Sequence, residues 1–289
     1  MSELSMRFAA LTDVGRTRQN NEDAFQITDL SSGATFETSP LEATIKVGQR
    51  GALLALSDGM GGHAGGEIAS AVVISALREG LQTTGQGQAE QRLDAAIRGA
   101  NAEVAAAAKR RNKRGMGATL TAVLVDGSGA YVAEVGDSRA YLLRAGQLKQ
   151  LTHDQSLVQM MVDIGLCTKE QAENSPQKNI LLQAMGSEPE VHAAIGHVAL
   201  RQRDKMLLCS DGVSNAVADD ELREILEANE PNAACSRLVQ LANERGGADN
   251  LTAVVAVFED SSLAMPSPSE TVTATFKVIR DFGKLPAAQ

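Results

Sequence analysis

The sequence predicts an α+β fold in which antiparallel sheet is combined with amphipathic helices. Short apolar, strand-like runs recur at close intervals, and tight turns such as Asp126-Gly127-Ser128-Gly129 separate them. A few longer segments instead place apolar residues at helical spacing. Because the strands follow one another without the regular crossover helices of βαβ units, antiparallel pairing is favoured over a doubly wound parallel sheet.

Three strands are predicted in the N-terminal part of the chain. A polar, turn-like stretch at 15–23 and a surface connection rich in Ser, Thr and Gly at 29–50 separate them. Two helices follow, at about 66–80 and about 88–109, and their apolar stripes are interpreted as core packing. The predicted strands are 5–11, 24–28 and 52–57.

Strands and helices also alternate in the rest of the chain. Residues 152–185 form a polar insertion that is predicted to be helical, and Pro231 suits the first turn of a later helix. After Glu259 the chain becomes rich in Ser, Thr and Pro and loses periodicity. We therefore expect one domain over 1–259 and a flexible tail over 260–289. The predicted strands are 118–125, 130–135, 139–144, 205–210 and 251–258, and the predicted helices are 220–229 and 231–245.

Composition and charge exclude several classes of protein. The formal net charge of −9 disfavours binding to a phosphate backbone, and the absence of Trp disfavours base stacking. No apolar run reaches the length of a membrane span, and the N-terminus lacks the pattern of a secretory signal. Three scattered cysteines fit a reducing compartment. The sequence thus predicts a cytoplasmic monomer that binds neither nucleic acid nor membrane.

Acidic residues lie at the ends of the apolar, strand-like runs. An Asp-Gly pair often ends a strand as a simple turn, and for one isolated site that interpretation is favoured. Five such sites, with glycine nearby, instead favour a cleft in which several strand ends bring carboxylates together. The residues are Asp58, Asp137 and Asp211 after three of the runs, Asp249 and Asn250 before the last run, and Asn21-Glu22-Asp23 beside an early strand.

Clustered carboxylates repel one another and favour the binding of a hard cation. Oxygen ligands without a Cys or His cluster select Mg²⁺ or Mn²⁺ over Zn²⁺. Glycine is densest at 59–66, where the backbone could approach an ion or a phosphate, and the Gly59 carbonyl could be a ligand. The Gly-Lys-Ser/Thr ending of a Walker loop is missing. His63 lies in this segment, and its setting favours a catalytic role over a structural one.

Six short motifs occur in a fixed order between about residues 6 and 258, each modest by itself. They are Arg18-Gln-Asn-Asn-Glu22-Asp23-Ala24, Ser57-Asp58-Gly59-Met60-Gly61-Gly62-His63, Gly117-Ala-Thr119-Leu, Val135-Gly136-Asp137-Ser138-Arg139, Leu208-Cys-Ser-Asp211-Gly212 and Gly247-Ala-Asp249-Asn250. With these motifs together, the chain resembles the metal-dependent Ser/Thr protein phosphatases of type 2C, the PPM family, in their compact bacterial form.

The resemblance implies a fold and a reaction. The fold is a four-layer α/β/β/α sandwich, with two central antiparallel sheets flanked by helices and a metal cleft at one end. The reaction is hydrolysis of phosphoserine and phosphothreonine on proteins by a water that bridges two divalent ions. Arg18 would clamp phosphate oxygens through its planar guanidinium, and His63 would act as general acid for the departing Ser or Thr oxygen.

The resemblance also implies a set of metal ligands. The cofactors would be Mn²⁺ or Mg²⁺, two per active site, with a third and weaker site. Glu22 and Asp23 would lie close by and order metal-bound water. The implied ligands are Asp58 as the bridge between two ions, the Gly59 carbonyl on one of them, Asp211 and Asp249 on the other, and Asp137, together with Asp211, on the third.

The implied partners are phosphorylated proteins, including a Ser/Thr kinase and its targets. One alternative is a catalytically weak pseudophosphatase that binds phosphoproteins, and the intact residues Arg18, Asp58, Asp211 and Asp249 argue against it. A second alternative is a metal-dependent hydrolase of small phosphate esters or nucleotides. The lack of a nucleotide-stacking aromatic residue near the motifs disfavours this second alternative.

The chain departs from the family pattern in the insertion at 152–185, which resembles the mobile flap near the family's active site. Asp154-Gln155-Ser156 and Ser175-Pro176 stand where bacterial members often have histidines. Asn179 falls where some relatives supply an oxygen to the third ion. The basic run 109–114 is interpreted as solvated charge at a helix C-terminus, with docking of an acidic partner as the alternative.

Overall fold

The computed structural model describes residues 4–61, 65–84, 87–113, 115–261, 263–267 and 270–282, and two antiparallel sheets lie at its centre. Within these residues the first sheet has six strands. In spatial order they are β10 (Gln147–Gln150), β9 (Arg139–Arg144), β12 (Lys205–Cys209), β13 (Leu251–Glu259), β1 (Ser5–Asp13) and β4 (Leu41–Lys46).

The second sheet contains eight strands within the same described residues. The short strand β6 (Gly117–Ala118) pairs with the end of β5 and lies off the main path. The others, in spatial order, are β14 (Phe276–Arg280), β11 (Ala194–Val198), β8 (Gly129–Val135), β7 (Leu120–Asp126), β5 (Ala52–Met60), β2 (Asp23–Asp29) and β3 (Thr35–Phe36).

Helices cover the outer face of each sheet. On the second sheet lie α1 (Gly66–Thr83) and α2 (Ala89–Arg110), and on the first lie α5 (Asp211–Ser214), α6 (Asp219–Ala228) and α7 (Pro231–Glu244). The insertion carries α3 (Leu157–Asp163) and α4 (Lys169–Glu173), and a 3-10 turn spans Val272–Ala274. None of the helices that the structure describes combines the length and apolarity needed to cross a bilayer.

The central strands read as continuous apolar runs because both of their faces are buried. In β13, Val254, Ala256 and Phe258 point into the core between the sheets, while Ala253 and Val255 pack under α7. β5 alternates in the same way between the central core and the core beneath α1 and α2. This double burial produces the four-layer α/β/β/α sandwich and confirms the fold class predicted from the sequence.

Several predicted connections contain strands instead. The surface connection predicted at 29–50 contains β3 and the edge strand β4, which pairs with β1. The tail predicted to be flexible contains β14, which pairs with β11 and extends the second sheet. Edge strands are short and pair on one side only, so their sequences carry a weaker apolar signal than central strands do. The insertion at 152–185 is mostly irregular, with α3 and α4 as its helices.

Candidate metal centre

One side chain ties the loop between β1 and β2 to the start of β13. The Asn250 amide donates to the carbonyl oxygens of Val14 (3.0 Å) and Asn20 (2.9 Å), and its Oδ1 accepts from the backbone N–H of Glu22 (2.8 Å). Asn250 is buried, so these bonds replace water on all sides of the amide. They hold Arg18, Glu22 and Asp249 at the same end of the molecule.

Asp23 lies at the bottom of this end, within a network of hydroxyl groups. Its Oδ2 accepts hydrogen bonds from Ser210 Oγ (2.8 Å), directly after β12, and from Thr252 Oγ1 (2.6 Å) on β13 of the first sheet. Asp23 itself begins β2 of the second sheet, opposite Asp58 on β5. The carboxylate therefore joins the two sheets where their strands end.

The end of β5 presents Asp58 and the backbone of Gly59. The Asp58 N–H donates to Thr119 Oγ1 (2.9 Å), and the Thr119 N–H donates back to the Asp58 carbonyl (2.8 Å). A Cβ atom at position 59 would collide with the carbonyl oxygens of Gly66 and Glu22, so only glycine fits between them. This close packing fixes the peptide that follows Asp58.

Asp137 and Asp211 each stand two positions after the last residue of a strand. Asp137 comes after β8 through Gly136, whose φ of +106° turns the chain and whose N–H donates to Gln155 Oε1 (2.9 Å). Asp211 comes after β12, as the first residue of α5, and its Oδ2 accepts from Asn215 Nδ2 (3.2 Å). Gln155 belongs to the insertion, so the insertion directly supports the Asp137 turn.

These elements surround a polar cleft of about 380 Å³ at one end of the two sheets. Arg18 lies at its rim with 48% of its side chain exposed, and its Nη2 pairs with Asp249 Oδ2 at 2.8 Å. From the insertion, Asn179 and Leu181 close one side. The other lining residues are Gln19, Asn20, Glu22, Asp58, Gly59, Met60, Gly61, Thr119, Asp137, Asp211 and Asn250.

The carboxylates of the cleft destabilise one another's charged forms. Burial raises the pKa of Asp23 to about 7 and that of Asp211 to about 6, and repulsion from Asp249 adds to both. Burial, followed by repulsion from Asp23 and Asp211, raises the pKa of Asp58 well above its usual range. Burial and the Asp211 charge do the same to the pKa of Asp137. Such a cluster needs a cation for full ionisation.

The residues present fit divalent ions. Asp23 Oδ1 and Asp211 Oδ1 are buried carboxylate oxygens without a hydrogen-bond partner among the residues that the structure describes, which is rare in a folded protein and suits a ligand or a bound water. Among the described residues, no three acidic, cysteine or histidine side chains already form a complete ligand set around one point. One candidate ligand, Asp249, is paired with Arg18. A set that contains only side chains also leaves out backbone oxygens such as the Gly59 carbonyl. Oxygen donors of this kind select Mg²⁺ or Mn²⁺.

The structure brings the sequence-predicted site residues into one place. Arg18, Glu22, Asp58, Gly59, Asp137, Asp211 and Asp249 line the cleft, and Asp23 lies beneath it. His63, predicted as the general acid, lies outside the described residues. The supporting roles of Asn250, Thr119 and Ser210 were not assigned from the sequence. Ser210 and Asn250 each stand beside an acid in the quoted motifs, and this is a signal because a small polar neighbour can orient a carboxylate. The motif of Thr119 contains no acid and gives no such signal.

The fold and the site define a class of protein: a four-layer sandwich with a carboxylate-rich cleft where its strands end. Comparison with known proteins identifies the family. The sequence model described as protein phosphatase 2C matches residues 42–255. The chain belongs to the protein phosphatase 2C family.

Individual relatives agree with this family. The chain is 39% identical over 266 residues to the serine/threonine protein phosphatase PstP of Mycobacterium tuberculosis, covering 92% of this chain and 47% of that protein. The chain thus spans about half the length of that relative. The serine/threonine phosphatase stp of Listeria innocua is 36% identical over 250 residues, or 84% of this chain and 92% of that one.

A solved structure agrees in fold as well. The catalytic domain of PstP in complex with two manganese ions superimposes with a TM-score of 0.74 at 38% identity. The match covers 89% of this chain and all of that domain (100%).

Proposed function

We propose that this protein is a metal-dependent serine/threonine protein phosphatase that hydrolyses phosphoserine and phosphothreonine on other proteins. The observation that carries the proposal is the convergence of Asp58, Asp211 and Asp249 from both sheets beside the half-exposed guanidinium of Arg18. Family membership supports it, as do the names of the relatives, which are serine/threonine phosphatases. The manganese complex of the PstP catalytic domain supports Mn²⁺ or Mg²⁺ as cofactors.

The cleft residues divide into ligands and residues that order water. Bound divalent ions would supply a water of lowered pKa and would offset the charge of the phosphate. Asp58 would be the bridging ligand, and the Gly59 carbonyl would contribute an oxygen to one ion. Glu22 and Asp23 would order water around the ions. The remaining proposed ligands are Asp211 and Asp249 for a second ion and Asp137 with Asp211 for a third.

Arg18 binds the phosphate in this proposal. Its guanidinium offers two parallel N–H donors that match two phosphate oxygens, and its partial exposure lets it reach a substrate. The Asp249 carboxylate that it now pairs with is a proposed metal ligand, so Arg18 exchanges one anion for another. His63 is proposed to protonate the leaving Ser or Thr oxygen.

The substrates would be phosphorylated proteins, and opposition to a Ser/Thr kinase is part of the proposal. Cytoplasmic location and a monomeric state stay predictions from the sequence.

The first test measures release of phosphate from a phosphothreonine peptide with Mn²⁺, with a chelator, and with the Asp211→Ala variant. We expect turnover that requires Mn²⁺ and falls by at least about 100-fold in the variant, because a charge-stabilising group is lost. Asp220→Ala removes an exposed carboxylate of α6 and is the matched control, with turnover unchanged.

A second readout follows the metal without turnover. Mn²⁺ should raise the melting temperature of the wild-type protein and of Asp220→Ala, and should raise that of Asp211→Ala much less. Folded wild-type protein that binds the peptide but releases no phosphate with Mn²⁺ would reject the phosphatase and favour a phosphoprotein-binding module. Equal turnover of nucleotides and phosphopeptides would contradict the proposed preference for phosphorylated proteins.

A further inference from the structure

A second cavity, of about 560 Å³, lies on the other side of the insertion from the metal cleft. We call it the flap cavity. Leu181 lines the metal cleft, while the next residue, Leu182, lines the flap cavity, so one stretch of the insertion separates the two. Strands β8, β11 and β14 form the opposite walls. The flap cavity is large enough for a small organic molecule.

Most of the wall is apolar. Val132 and Leu151 continue the core between the sheets to the bottom of the cavity, and Phe276 lies across Gly196 of β11. Met160 and Leu182 contribute from the insertion and are partly exposed. An apolar surface of this kind gains free energy when an apolar group of a ligand displaces water from it.

Four carboxyl groups line the flap cavity, those of Glu134, Asp154, Asp163 and Asp281, and that of Glu134 is the buried one. Glu134 on β8 lines the flap cavity and is only 4% exposed. Both of its oxygens accept from the backbone N–H of His153, at 2.8 Å and 2.9 Å. Among the residues that the structure describes, no cationic side chain forms an ion pair with Glu134. Burial raises the pKa of this carboxyl well above its usual range, and nearby Asp154 and Asp281 raise it further.

The cations around the flap cavity already have anionic partners. Arg139 binds both oxygens of Asp154, at 2.9 Å and 2.7 Å, and Arg280 pairs with Asp94 at 2.6 Å. The His153 ring contacts Asp163 at 2.7 Å. A cationic ligand would therefore meet Glu134 without displacing a protein cation, whereas an anionic ligand would be repelled by the acidic side chains.

We propose that the flap cavity binds an organic ammonium compound, whose apolar group fills the space between Phe276, Leu182 and β8 and whose ammonium group pairs with Glu134. A cation beside Glu134 favours the ionised form of this carboxyl group, and a charged donor on a buried carboxylate forms a strong hydrogen bond. Glu134 lies on the same strand that leads to Asp137, yet the ligand would contact no residue of the proposed metal set. The site is thus separate from the metal cleft.

The C-terminal segment is necessary for this site. β14 lies beyond the residues that match the family model, which end at 255, and it supplies Phe276 and Val278 to the wall. It is fastened to the domain by its pairing with β11 and by Thr275 Oγ1, which accepts from Arg144 Nη1 at 2.6 Å. The ligand site therefore depends on the C-terminal strand, which the family model does not include.

The test uses a tryptophan reporter, since the chain has none of its own. Val278→Trp places the reporter at the flap cavity, where Val278 is 64% exposed and tolerant of substitution. Ile279→Trp, one residue along β14, faces a different pocket and is the matched control. The probes are n-hexylammonium, n-hexanol and n-hexanoate. We expect n-hexylammonium to shift the emission of Val278→Trp saturably, to bind about tenfold tighter than hexanol, and to leave Ile279→Trp unchanged.

Two further variants, each in the Val278→Trp background, test the role of charge. Glu134→Gln should weaken n-hexylammonium about tenfold, to the affinity of hexanol. Leu182→Arg places a cation at the partly exposed rim and should weaken the ammonium probe by a similar factor, even if Glu134→Gln fails to fold. Equal binding of the three probes, an equal response of Ile279→Trp, or undiminished ammonium binding in the folded variants would overturn the proposal.

Discussion

Two regions of this molecule bury several charged groups, but the protein provides these groups with hydrogen-bond and ion-pair partners to different extents. Arg144 is fully buried between the first sheet and the C-terminal segment, where it donates to both oxygens of Asp204 (2.9 Å and 2.6 Å) and to Ala199 O (2.8 Å). In the metal cleft, by contrast, Asp23 and Asp211 each keep one buried oxygen that has no partner within the described part of the chain.

The difference separates a structural charge from a functional one. A buried charge that serves the fold is neutralised and hydrogen-bonded by the protein itself, because the cost of removing it from water is otherwise several kcal/mol. The cleft leaves like charges together and partly unsatisfied, which the fold tolerates at a loss of stability. The two regions should therefore respond to substitution with opposite signs.

The largest expected change in stability is at Arg144, whose buried charge is neutralised by the protein itself. Arg144→Met removes the guanidinium and leaves Asp204 buried without its partner, so the free energy of unfolding should fall by about 3–5 kcal/mol. Urea unfolding followed by circular dichroism measures the change. The control is Arg237→Met, which breaks an exposed pair on α7 and should cost less than about 1 kcal/mol. A similar loss in both variants would remove the distinction between the regions.

Substitution of a carboxylate in the metal cleft should raise the stability of the metal-free protein instead of lowering it. Asp211→Asn removes one of the repelling charges and keeps an oxygen for Asn215, so the metal-free protein should gain on the order of 1 kcal/mol in stability. The same urea experiment, with chelator present, measures the gain. Asp220→Asn changes an exposed carboxylate in the first turn of α6 and should instead cost a few tenths of a kcal/mol. A clear loss of stability in Asp211→Asn would show that its charge serves the fold.

The exposed ion pair between Glu221 and Arg245 should give the smallest change in stability, and that change should depend on pH. Hydrogen bonds from Arg245, then from the Ala218 N–H, lower the pKa of Glu221 to about 2. Because the folded pKa lies below that of the unfolded chain, the ionised group stabilises the fold above the usual Glu range, and this contribution is lost as pH falls toward about 2.

Thermal melts of Glu221→Gln test this sign. The variant should melt slightly below the wild type at about pH 7, and the difference should shrink as the pH falls below about 4. Arg245→Met breaks the same pair and should reproduce that profile. A difference that stays constant with pH would assign the effect to packing.

The predicted site depended on local patterns. Asp58, Asp137 and Asp211 each follow an apolar run directly, so the ends of strands could be located from the sequence and the acids assigned to them. Their shared cleft followed from the resemblance to the family and from the chemistry of clustered carboxylates. Thr119 and Asn250 were missed as supports because hydrogen bonds over long separations in sequence leave no periodic signal.

Two of the strands that were not predicted differ in the reason. β4 alternates apolar and polar residues over Leu41–Lys46, a pattern that predicts a half-buried strand and was available in the sequence. β14 follows a stretch rich in Ser, Thr and Pro, and its residues are mostly exposed. Its strand conformation depends on pairing with β11 and on the Arg144 anchor, which lies 131 positions before Thr275.

Local sequence patterns are sufficient to predict the class of fold, most of the central strands and the acids of the cleft, because burial on two faces and the ends of strands are recorded in neighbouring residues. The packing of the whole chain sets which carboxylates are neutralised, which keep an oxygen without a partner among the described residues, and where the flap cavity forms. Those properties depend on groups from distant parts of the chain, such as Glu134 and Phe276, and their distances are set when the sheets, the insertion and the C-terminal strand pack together.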